Sequence, residues 1–307
     1  MSGGLDSQLA IRVLQTAGAE VEAVCFSTPF FDISGAKAAA AALNVKLHIV
    51  DFLEDEITLL ETHPHGFGGA MNPCIDCHAK MIERAGELMR ELGYDFVATG
   101  EVQGQRPMSQ NRQSMGIVEK CSTMKGRLVR PLSAKLLEPT IPELEGKLDR
   151  DRLYDISGRG RERQIALAAK FGIVDYPAPA GGCKLTEGGF CRKLKDLQDH
   201  EGLRLVDGAV NRPLISLLTV GRRFRLPDGS SVVLGRDGRE NALLNTGAGL
   251  SGSPVILKPT VGLPGPTALV PVLKSEADRD CAQRLVNAYV RGTGEKDRAE
   301  FKPFQIM

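Results

Sequence analysis

Ser2-Gly3-Gly4-Leu5-Asp6-Ser7 is the stretch on which the reading of this 307-residue chain turns. Two adjacent glycines between short polar side chains let several backbone N–H groups face one point, because glycine tolerates positive φ and close approach. Behind the turn Leu9, Val13 and Ala17 recur at helical spacing, and Gly18 stands where a stop is expected, so a helix is predicted over 8–17. The turn therefore opens a helix N-terminus, where phosphate charge is favoured.

The segments that follow alternate. Val21–Phe26 and Lys46–Val50 read as strands, Gly35–Leu43 and Lys80–Leu92 as helices, and Asp95–Thr99 as a further strand before Gly100. Such alternation predicts βαβ units, hence an α/β fold with a parallel sheet and helices on both faces. Ligands of open parallel sheets sit beyond the C-terminal strand ends. That rule gathers Ser2–Ser7, Phe26, Ser27, Asp51, Thr99 and Gly100 at one edge and predicts a nucleotide site there.

Glu162–Phe171 carries another helical pattern, and a Pro/Gly-rich stretch runs from Tyr176 to Cys183. From Leu203 the texture changes to short β-like runs, such as Phe224–Leu226, Val232–Leu234 and Val255–Leu257, separated by Asp228-Gly229 and Asp237-Gly238 turns. A last helix is expected over 277–291. The change places a domain boundary near residue 200, with an α/β domain over 1–200 and a small α+β domain over 201–307.

The chain is 42% hydrophobic and 25% charged, which is ordinary for a globular protein. No run of about 18 apolar residues argues for a membrane span, and no charged-then-apolar leader opens the sequence, so it reads as cytoplasmic. The net charge of +1 hides an asymmetry: residues 201–307 hold 15 Lys and Arg against 11 Asp and Glu, whereas residues 1–200 hold 24 against 27. A mildly basic C-terminal part is compatible with RNA binding. The absence of Trp and an aromatic content of 5% argue against an extensive base-stacking surface.

Seven cysteines in a chain of this type favour metal or catalytic work over disulfides. Asn72-Pro73-Cys74-Ile75-Asp76-Cys77-His78 places two sulfurs within chelating or disulfide-exchange distance. Cys183, in a Gly-Gly-Cys turn, could join them, and three thiols with an open fourth position suit an iron–sulfur cluster. Cys191 is the candidate to complete a four-cysteine zinc site instead. Cys25 reads as a buried inert thiol, Cys121 and Cys281 as packing residues, and His63 and His65 as loop residues rather than ligands.

The opening loop resembles the signature of the ATP-pyrophosphatase (PP-loop) superfamily, whose members cleave ATP between the α and β phosphates. In that superfamily the motif ends a buried apolar strand; Met1 directly precedes Ser2, so that strand is expected to be missing from the sheet. Together with Asn72-Pro73-Cys74-x-x-Cys77 and Ala98-Thr99-Gly100-Glu101, the chain is similar to the bacterial tRNA 2-thiouridylases and, more distantly, the tRNA 4-thiouridine synthetases. Arg130–Lys135, Ile156–Arg159 and Gly181–Thr186 extend the likeness over roughly residues 1–200.

The resemblance implies an ATP-dependent tRNA sulfurtransferase that adenylates a uridine oxygen and replaces it with sulfur. Ser2, Gly3, Gly4, Asp6 and Ser7 would contact phosphate and Mg²⁺, Phe26 and Ser27 the adenine, and Thr99 and Gly100 the nucleotide pocket. Cys77 matches the catalytic cysteine and Cys183 its second. Either Cys77 carries a persulfide that Cys183 resolves, or Cys74, Cys77 and Cys183 ligate a [4Fe–4S] cluster; the presence of all three thiols favours the cluster. Implied partners are tRNA or another RNA and a sulfur donor, sulfide or a persulfide carrier.

The C-terminal part resembles an RNA-binding module of ribosome-quality-control proteins through Val220–Arg225 and Leu234–Asn241, whose arginines would meet RNA phosphates. Arg159, Arg161 and Arg163 read equally as a solvated helix start or as tRNA contacts. Two alternatives stay open: another adenylating PP-loop enzyme, amide-forming or deazaguanine-type, with structural zinc, or a non-catalytic RNA-binding relative.

Overall fold

A computed structural model describes residues 1–178 and 182–307. The chain divides into two compact units, Met1–Thr186 and Glu187–Met307. The second begins earlier than the change of texture near residue 200 suggests, because the helix Gly188–His200 packs against elements of that unit.

The first unit runs α1 (Leu5–Thr16), β1 (Ala23–Ser27), α2 (Ser34–Leu43), β2 (Leu47–Asp51), α3 (Leu53–Thr62), α4 (Cys74–Leu92), β3 (Val97–Ala98), α5 (Arg112–Cys121), β4 (Leu128–Val129), α6 (Ile141–Leu144) and α7 (Glu162–Phe171). Helix α1 starts three residues earlier than its apolar spacing predicts, directly on the glycines of the loop. Leu9 and Val13 are fully buried and belong to the same core as Ala168 of α7. The Leu9 and Val13 side chains each contribute about 1.5–3 kcal/mol by leaving water.

Every strand pairing in this unit is parallel, as the alternating pattern predicts, but the expected single sheet is found as two separate pairs. β1 pairs with β2 from Ala23↔Leu47 to Ser27↔Asp51, and β3 pairs with β4 through Val97↔Leu128 and Ala98↔Val129. No described strand joins the pairs. Val24 and Phe26 of β1, Val97 and Ala98 of β3, Leu14 of α1 and Ile82 of α4 instead line part of a cavity of about 1360 Å³. The Met1 nitrogen donates to the Val24 carbonyl at its edge. The third strand is also shorter than the sequence suggests, two residues in place of five.

The second unit comprises α8 (Gly188–His200), α9 (Arg212–Ser216), β5 (Arg222–Arg225), β6 (Ser231–Leu234), α10 (Gly238–Asn245), β7 (Val255–Leu257), β8 (Ala268–Val270), α11 (Glu276–Ala288), α12 (Glu295–Arg298) and β9 (Gln305–Ile306). Its five strands form one antiparallel sheet in the order β7-β8-β6-β5-β9. Phe224, Val232 and Leu234 pack with Ala282, Leu285 and Val286 of α11 into its core. Asp228-Gly229 is the hairpin turn expected, with Leu226 N–H donating to Ser230 O. Asp237-Gly238 is not a turn: Asp237 caps α10, its carboxylate accepting from the N–H groups of Arg239 and Glu240. No described helix is long and apolar enough to cross a membrane.

Candidate functional site

Two glycines, Gly3 of the opening loop and Gly100 beyond it, are required by close backbone contacts. Gly3 has φ +81°, and a Cβ there would lie 2.3 Å from the Gly35 carbonyl carbon at the start of α2. Gly100, just past β3, brings its backbone so near α1 that a Cβ would sit 2.6 Å from Asp6 O and 2.7 Å from Ser7 N. The loop is thus held between two elements that contribute no side chains of their own at the contact. Inside it Gly4 N–H donates to Ser2 Oγ at 3.3 Å, Ser7 Oγ donates to Gly4 O at 2.8 Å, and the buried Gln8 amide ties Gly3 O to Asp175 O.

Ser2, Gly4, Asp6 and Ser7 line the cavity, as do Phe26, Thr99 and Gly100. Gly3 supports the loop from behind. Ser27 is not among the lining residues; its carbonyl accepts the Phe52 N–H at 3.0 Å. Asp6 is half-buried. Gln105 Nε2 donates to its Oδ2 at 3.1 Å, while Oδ1 is buried without a hydrogen-bond partner. Burial pushes the Asp6 carboxyl above its usual range, and Gln105, Arg161, Arg106 and Gln164 pull it back. An orphaned carboxylate oxygen at the mouth of a phosphate-type loop fits a divalent cation.

Cys74, Cys77 and Cys183 open on the same cavity, and none of the seven cysteines is disulfide-bonded. The first two do not form a turn, as the spacing suggests, but the first helical turn of α4, which begins at Cys74, six residues before the predicted start. Asn72 Nδ2 donates to Cys74 Sγ at 3.0 Å, and Cys77 Sγ donates to Glu56 Oε2 at 3.3 Å. Lys184 N–H donates to Phe30 O, which holds the segment after Cys183. The Gly181 part of the expected Gly-Gly-Cys turn lies outside the described residues.

Cys77 is buried, and burial, the Glu56 charge and hydrogen bond, and the neighbouring Cys183 and Cys74 raise its thiol well above the ordinary value. These outweigh the stabilisation that a helix N-terminus offers a thiolate. Burial also lifts Glu56 to about 7, against the opposing effect of the Cys77 hydrogen bond and His78. Glu56 Oε1 has no hydrogen-bond partner. Sequence reasoning missed Glu56, although a signal exists: it stands on the Leu53, Ile57, Leu60 stripe of α3, where a charge is out of pattern.

Among the described residues no three His, Cys, Asp or Glu side chains converge to hold a metal ion. Cys74, Cys77 and Cys183, the thiols expected to ligate a [4Fe–4S] cluster, share one wall of the cavity, and Cys183 and Cys74 lie near enough to act on the Cys77 thiol. Cys191, the candidate fourth thiol of the zinc alternative, is buried in α8 of the second unit. His65 Nδ1 is held by Asp76 at 2.6 Å, and His63 stacks on Phe67 at 4.1 Å. Cys121, expected to pack, is exposed at the end of α5.

Beside Cys77, His78 Nδ1 lies 3.1 Å from Glu101 Oε1. Burial alone would raise Glu101, but His78 and the Arg130 guanidinium, 2.9 Å from Oε2, hold it at about 2. Arg130 also reaches Glu119 Oε2 and Met115 O, so it ties β4 to α5. In the second unit Arg223 and Arg225 are not offered to solvent. Arg225 bonds Asp196 and Glu201 at 2.6–3.0 Å, and Arg223, 1% exposed, meets the same carboxylates at 3.3 and 3.4 Å. Arg236 pairs with Glu240. These three of the arginines expected to meet RNA are engaged within the unit.

No family model matches the chain. It is 31% identical over 124 residues to the tRNA-specific 2-thiouridylase MnmA of Marinobacter nauticus, covering 36% of this chain and 32% of that protein. It is 34% identical over 112 residues to the protein of the same name from Sulfurimonas denitrificans, 33% of this chain and 32% of the relative. The chain thus spans about a third of the length of the curated relatives it matches. The matched part of the chain is similar to proteins named tRNA-specific 2-thiouridylase. That similarity supplies no support for the likeness of the C-terminal module.

Proposed function

We propose that the protein is an ATP-dependent RNA sulfurtransferase acting on uridine, with tRNA as the substrate. The observation that carries this reading is that the Ser2–Ser7 loop and all three chemistry-bearing cysteines line one cavity. The likeness to tRNA 2-thiouridylases supports it from the sequence side.

Uracil oxygen is a poor leaving group at neutral pH. Attack of that oxygen on the α-phosphate of ATP forms an O-adenylyl uridine and expels pyrophosphate. The loop N–H groups and the N-terminus of α1 favour the phosphate charge, and Asp6 would hold the Mg²⁺ that accompanies it. Cys77 carries the transferable sulfur as a persulfide loaded by an external persulfide carrier. Its terminal sulfur bonds the activated carbon and AMP departs. Cys183 then attacks Cys77 Sγ, closing a Cys77–Cys183 disulfide and releasing thiouridine; an external thiol reduces the pair. Burial beside Glu56 keeps the unloaded Cys77 thiol protonated, which protects it between turnovers.

Thionucleoside mass spectrometry of tRNA incubated with ATP and a persulfide donor tests the reading. The Cys77→Ala variant is expected to bind ATP as the parent does and make no thiouridine. Product retained by that variant removes Cys77 from the sulfur path.

A further inference from the structure

The opening loop is without cationic side chains: no Lys or Arg occurs in residues 1–11. Backbone N–H groups, the Ser2 and Ser7 hydroxyls and one helix dipole are what it offers to a pyrophosphate, the most highly charged part of ATP. Cations on the same cavity come from elsewhere in the first unit. Arg106 and Arg161 line it, and both guanidiniums act on the Asp6 carboxyl. Arg161 is the residue before α7, and its Nε is buried with no hydrogen-bond partner.

Gln164, in the first turn of α7, is 0% exposed, and neither its amide nitrogen nor its amide oxygen has a hydrogen-bond partner of normal geometry. Its amide nonetheless lies near enough to stabilise ionised Asp6. Asp6 Oδ1 is orphaned beside them. Buried polar atoms are rarely left unpaired. Here two unmatched acceptors, Asp6 Oδ1 and Gln164 Oε1, and two unmatched donors, Gln164 Nε2 and Arg161 Nε, do not satisfy each other. A group that presents a cation to Asp6 and anionic oxygens to the donors would answer both kinds of atom at once, and magnesium pyrophosphate is such a group. Arg163, two residues on, is already spent on Asp155 at the surface, 2.5 Å away.

We propose that Arg161, Gln164 and Arg106 form a pyrophosphate clamp facing the Ser2–Ser7 loop, with Arg161 its central cation. The assignment rests on the ATP reading above and goes beyond it in giving Arg161 to the β and γ phosphates rather than to tRNA. A planar guanidinium suits this task, because it can give two parallel N–H groups to phosphate oxygens.

Isothermal titration of the full chain with magnesium pyrophosphate, ATP and AMP, and a tRNA-binding assay, separate the outcomes. Arg161→Gln is expected to weaken pyrophosphate binding about ten-fold or more, to leave AMP and tRNA binding unchanged, and to melt like the parent. Arg161→Lys recovers part of the loss, and Arg106→Gln, an exposed residue, shows a smaller one. The clamp is overturned if Arg161→Gln binds pyrophosphate like the parent, if AMP binding falls equally, or if tRNA binding alone falls. A parent protein that binds neither ATP nor pyrophosphate overturns the ATP reading itself, and the clamp with it.

Discussion

The two units bury charge differently. In the second, the guanidiniums of Arg223 and Arg225 are each paired with the carboxylates of Asp196 and Glu201, from α8 and the residue after it, and one nitrogen, Arg223 Nη1, is left without a partner. In the first, Asp6 and Glu56 each keep a buried oxygen without a partner, on the wall of a cavity of about 1360 Å³. Charge answered within the fold secures an architecture. Charge left open beside a cavity is arranged for something that comes and goes.

The sharpest way to break that contrast is at Cys77. Its replacement by Ala is expected to take thiouridine formation to background while the thermal midpoint moves little, because one sulfur is removed from a site already beside a cavity. The second unit gives the reverse. Asp196→Ala removes one of the two carboxylates that Arg223 and Arg225 share, leaving Glu201, and is expected to cost about 1.5–3 kcal/mol of stability in denaturant unfolding, with ATP binding by the first unit untouched. Loss of ATP binding in that variant would show that the two units do not behave independently.

Glu56 supplies a pH test. Its carboxyl is held near 7 in the fold and titrates near the ordinary glutamate value when unfolded, at about 4.3. The unfolded chain releases that proton first, so stability is expected to fall as pH rises from about 4.5 to 7, by at most about 3 kcal/mol from this group. Glu56→Gln should flatten the slope in urea titrations across that window; an unchanged slope removes Glu56 as its source. The smallest effect belongs to Arg163→Ala. Its pair with Asp155 is half exposed on both sides, and no measurable shift in thermal midpoint is expected.

Much of the first unit was legible as local pattern. The stripe of Leu9, Val13 and Ala17 and the stop at Gly18 place α1, and Glu162–Phe171 was readable to the residue. The parallel sense of pairing was readable too, since strands alternate with helices. Helix starts were less so. The helix α4 begins on the cysteines themselves, because Pro73 lacks an N–H and fixes its own φ, which suits a residue just before a helix. The Asp237-Gly238 pair looks like a hairpin turn in sequence, yet whether such a pair turns or caps depends on what packs after it.

The sequence alone determined that a glycine loop opens a helix and that Cys74 and Cys77 share one turn, for these are contacts across a few residues. That Arg223 and Arg225 face inward, that Glu56 sits under Cys77, and that Arg161 and Gln164 come to Asp6 were decided by tertiary structure. Those partners lie 21 to 158 residues apart in the chain. Side-chain identity states what a residue can donate or accept. Only packing decides which of those capacities is already taken and which is left open.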